Sequence, residues 1–377
     1  RDAQESRGLG DVYKRQLLGV PFLHVELTAG GLDTLPPDLE SRQAYEILEE
    51  EFPAFTASVV PLVIVFDEGQ DPFSKSLSSE GAEVCEVVST VEGVISVSHP
   101  LCNPSLFDTE LEDWPEDLRI EWLTTVSNSV AMINVPIEYP SGSDEAEQLI
   151  KDVRVFTSSS EEEVLVGSWT SYEVDMKEHL SERIPVALAF VLLVTMVLVW
   201  FQVHSVLVPI KAVFMNILSI SASFGLIVVV FQDGLLAGPL NFTPQPLDLM
   251  VPPLVFGIAF GLSMDYEVLM LSRIHESWLE TKDNTRAVSE GLQASGRLIT
   301  GAAAIMIAVF SGFIFADVMI IKSIGFALAV AVFVDATIVR AIVVPSAMRL
   351  MGRALSLIHI SEPTRLLSIA DAVVCVK

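Results

Sequence analysis

Five apolar runs dominate the second half of the chain, at 184–202, 208–231, 251–272, 298–316 and 323–348. A hydrocarbon core takes ~20 apolar residues to cross, so each run predicts a transmembrane helix. LLGVPFL, at 17–23, reads as the tail of one more helix, ending at 24. The pattern changes over 25–183. VVPLVIVF, at 59–66, is a buried-strand run, and Val84, Val87, Val88 and Val91 recur at the i, i+3, i+4, i+7 spacing of a helix face. VISVS at 94–98 predicts a second strand, a loop rich in Pro, Asp and Glu follows over 99–125, and VAMINVPIEY at 130–139 predicts a third strand. Ala146, Leu149, Ile150 and Val153 mark a second helix, and VLVGSW at 164–169 a fourth strand. Two strand–helix–strand units in series predict an α+β ferredoxin-like sandwich, and a helix over 172–183 then enters the membrane.

Charge separates the same two regions. The 377 residues carry a net charge of −27 at a mean hydropathy of +0.52, a pairing that a uniform soluble chain would not give. Residues 25–183 hold 34 Asp and Glu against 7 Lys and Arg, whereas 184–354 is mostly apolar. The chain therefore reads as an acidic water-facing domain followed by a five-helix membrane domain. Such a domain repels phosphate, which excludes nucleic acid as a partner; its surface is expected to be a solvated face rather than a cation site.

The short loops set the orientation. His204, Lys211, Arg273, Lys282, Arg286, Arg297, Arg349 and Arg353 fall on one side of alternating spans. The opposite loops, 232–248 and 316–322, carry Asp233, Asp248 and Asp317 with Lys322. By the positive-inside rule the basic side is cytoplasmic and the acidic domain lies outside. His24, His204 and His275 read as interfacial residues. Cys85 and Cys102 form a disulfide if the domain is outside the cytoplasm, or Cys85 is simply buried on its helix; the sequence leaves both open. Residues 1–16 and 355–377, with Cys375, break the local pattern and resemble translated adapter tails.

Asp265 is the sharpest chemical feature. It lies 13 residues past Pro252, about 20 Å along a helix. A carboxylate at that depth costs at least ~2.5 kcal/mol on insertion scales, so its retention points to function. A carboxylate whose charge changes as helices move is what proton coupling requires. Neighbouring helix positions point about 100° apart, so the Tyr266 phenol is expected to reach another helix rather than Asp265. Gly257 and Gly261 share the face of Asp265 and are expected to admit a close helix. Asp335, with Arg340 five residues on, is read as either relay or packing support, and Arg340 as snorkelling to the cytoplasm. Glu267 is read as part of a gate or a cap for Arg273. No nucleophile elbow, phosphate loop or zinc signature is present, so neither an enzyme nor a metal or cofactor is expected.

GLSMDYEVLMLSRIHESW (261–278) resembles the MMPL branch of the RND superfamily, in the second of its two membrane halves. FQVHSVLVPIKAVFMNILSISASFG (201–225), the stretch 311–348 and PPDLESRQAYEILEEEFP (36–53) resemble the family's preceding helix pair, last two helices and second porter domain. The resemblance implies an α-helical polytopic membrane protein with an extracytoplasmic porter domain, in the plasma membrane. It implies export of lipids or other hydrophobic molecules, with protons as coupling ion. It also implies an Asp-Tyr pair in each half, each Asp bonding the other half's Tyr; here only Asp265 and Tyr266 stand for it, and the N-terminal half is the missing partner. A lipid- or sterol-binding protein that does not pump, and a protein-export accessory subunit, are the alternatives. Oligomeric state is left open.

Overall fold

The computed structural model describes residues 19–31, 34–36, 38–52, 58–66, 73–127, 129–158, 163–203, 207–344 and 346. The two terminal stretches 1–16 and 355–377, with His204, Arg349, Arg353 and Cys375, lie outside the described residues. The chain divides into two compact units, Glu40–Glu182 and the described residues on either side of it.

In the Glu40–Glu182 unit, apolar residues at every second position build the sheet. Strand β1 (Val59–Val65) follows helix α1 (Glu40–Glu51), whose Tyr45, Ile47 and Leu48 are exposed. Strands β2 (Val126–Ser127), β3 (Val130–Pro136) and β4 (Glu163–Val166) complete four strands in the order β2-β3-β1-β4, every neighbouring pair antiparallel. Val60, Leu62 and Ile64 alternate into the core with Ala131, Ile133 and Val135. Helices α2 (Lys75–Ser89) and α4 (Asp144–Thr157) join the same core through Val84, Val88, Leu149, Ile150 and Val153. Ser74 and Ser143 cap them, accepting from the backbone N–H of Leu77 and Ala146.

Two expectations fail in this unit. The run 94–98 is no strand: Val94 makes a single bridge to Ile137 and Ile95 N–H donates to the Pro136 carbonyl. Val126–Ser127 occupies the sheet edge beside Val130 and Ala131 instead. Nor is 99–125 a loop. It folds into three short 3-10 turns and helix α3 (Glu116–Thr125), held by Phe73, Phe107, Trp114 and Trp122 with ring centroids 5.2–5.9 Å apart. Cys85 on α2 is disulfide-bonded to Cys102 at the base of this insertion.

Helix α5 (Trp169–Val203) runs from this unit into the other, passing through Pro185. The other unit continues with α6 (Leu207–Ile227), α7 (Val251–Thr281), α8 (Asn284–Phe313) and α9 (Met319–Val334). Helix α6 passes into a π-helix over Val228–Gln232 and α9 into one over Asp335–Val343. Among the described residues five helices are long and apolar enough to cross a membrane, as the apolar runs predicted. The connection expected over 273–297 shrinks to Lys282 and Asp283, because α7 continues to Thr281 and Asp283 caps α8 through the N–H groups of Thr285 and Arg286. Burial ranks the spans: 61% of the most apolar stretch of Val208–Gln232 is covered, against 6% for Trp169–Gln202, so α6 is central and α5 peripheral. Glycines set the closest approaches. A Cβ on Gly291 of α8 would lie 2.7 Å from the Ile274 Cα of α7, and one on Gly325 of α9 2.8 Å from the Phe310 carbonyl of α8.

Residues 24–28 also belong to this unit. Leu27–Thr28 pairs in parallel with Leu247–Asp248, and the Gln232 side chain accepts from Glu26 N–H and donates to the His24 carbonyl, both at 3.0 Å. Lys322, read from sequence as a loop residue, is buried and donates to the carbonyls of Leu240 and Asn241.

Candidate functional site

Polar side chains meet inside the apolar bundle where α6, α7, α8 and the end of α9 pack. Asn216, Ser219, Ser263, Tyr266, Asp335 and Arg340 line a cavity of about 10 Å³ there. Asp335 and Arg340 form a direct, buried ion pair: Arg340 Nε and Nη2 donate to Asp335 Oδ2 at 3.0 and 2.6 Å. In an α-helix a five-residue offset turns the two side chains apart. The wider turn of the π-helix, bonded i to i+5, brings Arg340 back over Asp335. Arg340 therefore does not snorkel; Nη2 also donates to the Ser263 carbonyl at 2.6 Å.

Tyr266 turns away from Asp265 toward the packed interior. Its hydroxyl lies 3.6 Å from Met306 Sδ on α8, and the Arg340 guanidinium sits 5.0 Å from its ring centroid. Ser263 donates to Asn216 Oδ1 at 2.6 Å, tying α7 to α6. Glu267 is buried and does not cap Arg273, which pairs with Glu276 at 2.8 Å. The ammonium of Lys211 on α6 is buried as well. Lys211 is therefore an interior residue, not the loop residue its charge suggested.

Asp265 stands apart from this cluster. It is exposed, on the α7 face that also bears Gly257 and Gly261. A Cβ on either glycine would meet nothing within 4 Å, so no described helix uses the close approach these glycines permit. The face is smooth, apolar and open, with one carboxylate on it.

Sequence reading thus separated Asp265, Glu267 and Asp335 from the background but missed Lys211, Asn216, Ser219 and Ser263. A signal existed: Asn216, Ser219 and Ser223 recur at i, i+3, i+7 within an otherwise apolar span, one polar stripe on one helix face. Among the described residues no three His, Cys, Asp or Glu side chains gather as metal ligands.

Comparison with known proteins agrees with this architecture. The MMPL family model matches residues 33–369. The chain is 31% identical over 333 residues to the trehalose monomycolate exporter MmpL3 of Mycolicibacterium smegmatis, covering 87% of this chain and 31% of that protein. It is 33% identical over 303 residues to the mycolic acid-containing lipids exporter MmpL11 of the same organism, covering 78% of this chain and 29% of the relative. Over 192 residues it is 43% identical to the heme uptake protein MmpL11 of Mycobacterium tuberculosis, covering 51% of this chain and 20% of the relative. The chain spans about a third or less of the length of these relatives. With the family model covering nearly all of its described residues, the chain belongs to the MMPL family.

Proposed function

We propose that this chain is the C-terminal half of a proton-driven exporter of lipids or other hydrophobic molecules, working in the plasma membrane. The observation that carries the reading is Asp265: a carboxylate on an open, glycine-lined face of a helix apolar enough to span a membrane. Lipid cannot solvate that charge, so a second set of helices bearing a polar partner is required over Gly257, Gly261 and Asp265. A proton taken up and released by Asp265 would change the charge at that seam and with it the packing of the two helix sets. Tyr266, facing the other way, joins the seam to the buried Asp335–Arg340 pair, and the buried Glu267 and Lys211 add ionisable groups to the interior.

The strand order β2-β3-β1-β4, with α2 and α4 packed into the same core, supports a ferredoxin-like porter domain. The Cys85–Cys102 disulfide supports its placement outside the cytoplasm, where such bonds persist. Two relatives are named as lipid exporters, which favours lipid cargo. A second reading, uptake of a hydrophobic cargo, is favoured by the relative named for heme uptake.

The test is lipid transfer by the complete protein in vesicles under an imposed pH gradient. Transfer that stops when a protonophore collapses the gradient supports the reading; transfer that continues unchanged refutes the proton coupling.

A further inference from the structure

We infer that the interior cavity between α6, α7 and α9 is a binding site for one water molecule. Four hydrogen-bonding groups from residues that line it lack an oxygen partner. Arg340 Nη1 and Ser219 Oγ are buried with no hydrogen bond. Tyr266 Oη and Asn216 Nδ2 find only thioether sulfurs, Met306 at 3.6 Å and Met264 at 2.6 Å. Sulfur of this kind is a weak acceptor. A buried donor without a partner costs about 1–3 kcal/mol, more for a charged group. So many unmet groups around one space call for an acceptor that also donates.

Size and charge choose among acceptors. The cavity is about 10 Å³, at the threshold of ~10–15 Å³ for a single water and too small for a second. Asp335 already neutralises Arg340 through both Nε and Nη2, so nothing in the pair demands an anion. A water there accepts from Arg340 Nη1 and from Tyr266 or Asn216, and donates to Ser219 Oγ. It joins α6, α7 and the π-helical end of α9 in one network. It also places a group that carries protons between Tyr266 and the Asp335–Arg340 pair; that role, unlike the site itself, rests on the proton-driven reading.

The experiment is a density map of the complete protein at a resolution that shows ordered water, for the wild type and for Ser219→Val. The wild type is expected to show one peak within hydrogen-bond distance of Arg340 Nη1 and Ser219 Oγ, and the variant, whose two methyl groups remove the hydroxyl and fill the space, none. An empty wild-type cavity, Arg340 Nη1 turned onto a protein oxygen, or a peak unmoved in the variant overturns the site. Where Ser219→Val is not recovered folded, the wild-type map alone decides. Proton flux in vesicles is the second readout, with at least a tenfold loss expected in Ser219→Val. A variant that lacks the peak but carries protons at the wild-type rate overturns the water's part in the relay. Wild-type vesicles that carry no protons sink the proton-driven reading and leave the site standing.

Discussion

Arg340→Met isolates what the buried ion pair contributes. The substitution keeps an unbranched apolar stem and removes the guanidinium. Asp335 Oδ2 then loses both hydrogen bonds, at 3.0 and 2.6 Å, while the carboxylate stays buried, and the Ser263 carbonyl loses a donor at 2.6 Å. Leaving one partner of a buried pair uncompensated costs about 3–5 kcal/mol. Removing both charges is different, since apolar replacement of a buried pair is often neutral or stabilising. The double variant Asp335→Leu with Arg340→Met is therefore expected to recover most of the loss. The assay is reversible unfolding in mixed micelles for the wild type, both single variants and the double, read as a double-mutant cycle. A wild-type-like Arg340→Met, or a double variant no better than the worse single one, refutes the claim that Asp335 and Arg340 form a desolvated, mutually dependent pair.

Further outcomes follow from the same geometry. Gly291→Ala and Gly325→Ala place a Cβ under 3 Å from backbone atoms and are expected to destabilise the bundle in thermal unfolding. Gly257→Ala and Gly261→Ala, which meet nothing within 4 Å, should stabilise this chain slightly, by up to about 1 kcal/mol of helix propensity, and lower export only when the complete protein is assayed. Replacing Cys85 and Cys102 with Ser removes a crosslink of sequence separation 17 and should cost the water-facing unit about 3 kcal/mol in denaturant unfolding. His99 is buried, its Nδ1 accepting from Leu101 N–H and its Nε2 donating to Thr125 Oγ1, so protonation would set a second N–H against the Leu101 amide. Burial lowers its pKa from 6.5 to about 4. Below pH 6.5 the unfolded chain takes up a proton that the folded one refuses, so stability falls between pH 6.5 and 4 by about 3 kcal/mol and is flat above. His99→Gln should abolish that slope in pH-dependent unfolding.

Much of the fold was legible because the bilayer imposes a coarse rule. Each of five helices needs ~20 apolar residues, and all five stood out on that count alone. The Ala146–Val153 helix face was equally plain, all four of its residues entering the core, while of the Val84–Val91 set Val84 and Val88 do so from the helix and Val91 from just past its end at Ser89. Strand 94–98 was misread because its apolar alternation is real but its pairing stops after Val94 and Ile95 meet Ile137 and Pro136, an extent that local sequence does not encode. Asp335 was noticed and its bridge to Arg340 left open, because α-helical spacing offsets the two side chains where the backbone in fact widens to a π-helix. Lys211 was misplaced because a lysine near a span's end looks like a loop residue, whereas its ammonium is buried.

Proton coupling through Asp265 is the central claim, and Asp265→Asn in the complete protein tests it most directly. The substitution keeps size and hydrogen bonding but cannot change charge. Lipid transfer under a pH gradient should be lost while the amount of protein in the membrane and its unfolding midpoint match the wild type. Transfer at the wild-type rate by Asp265→Asn would contradict the account.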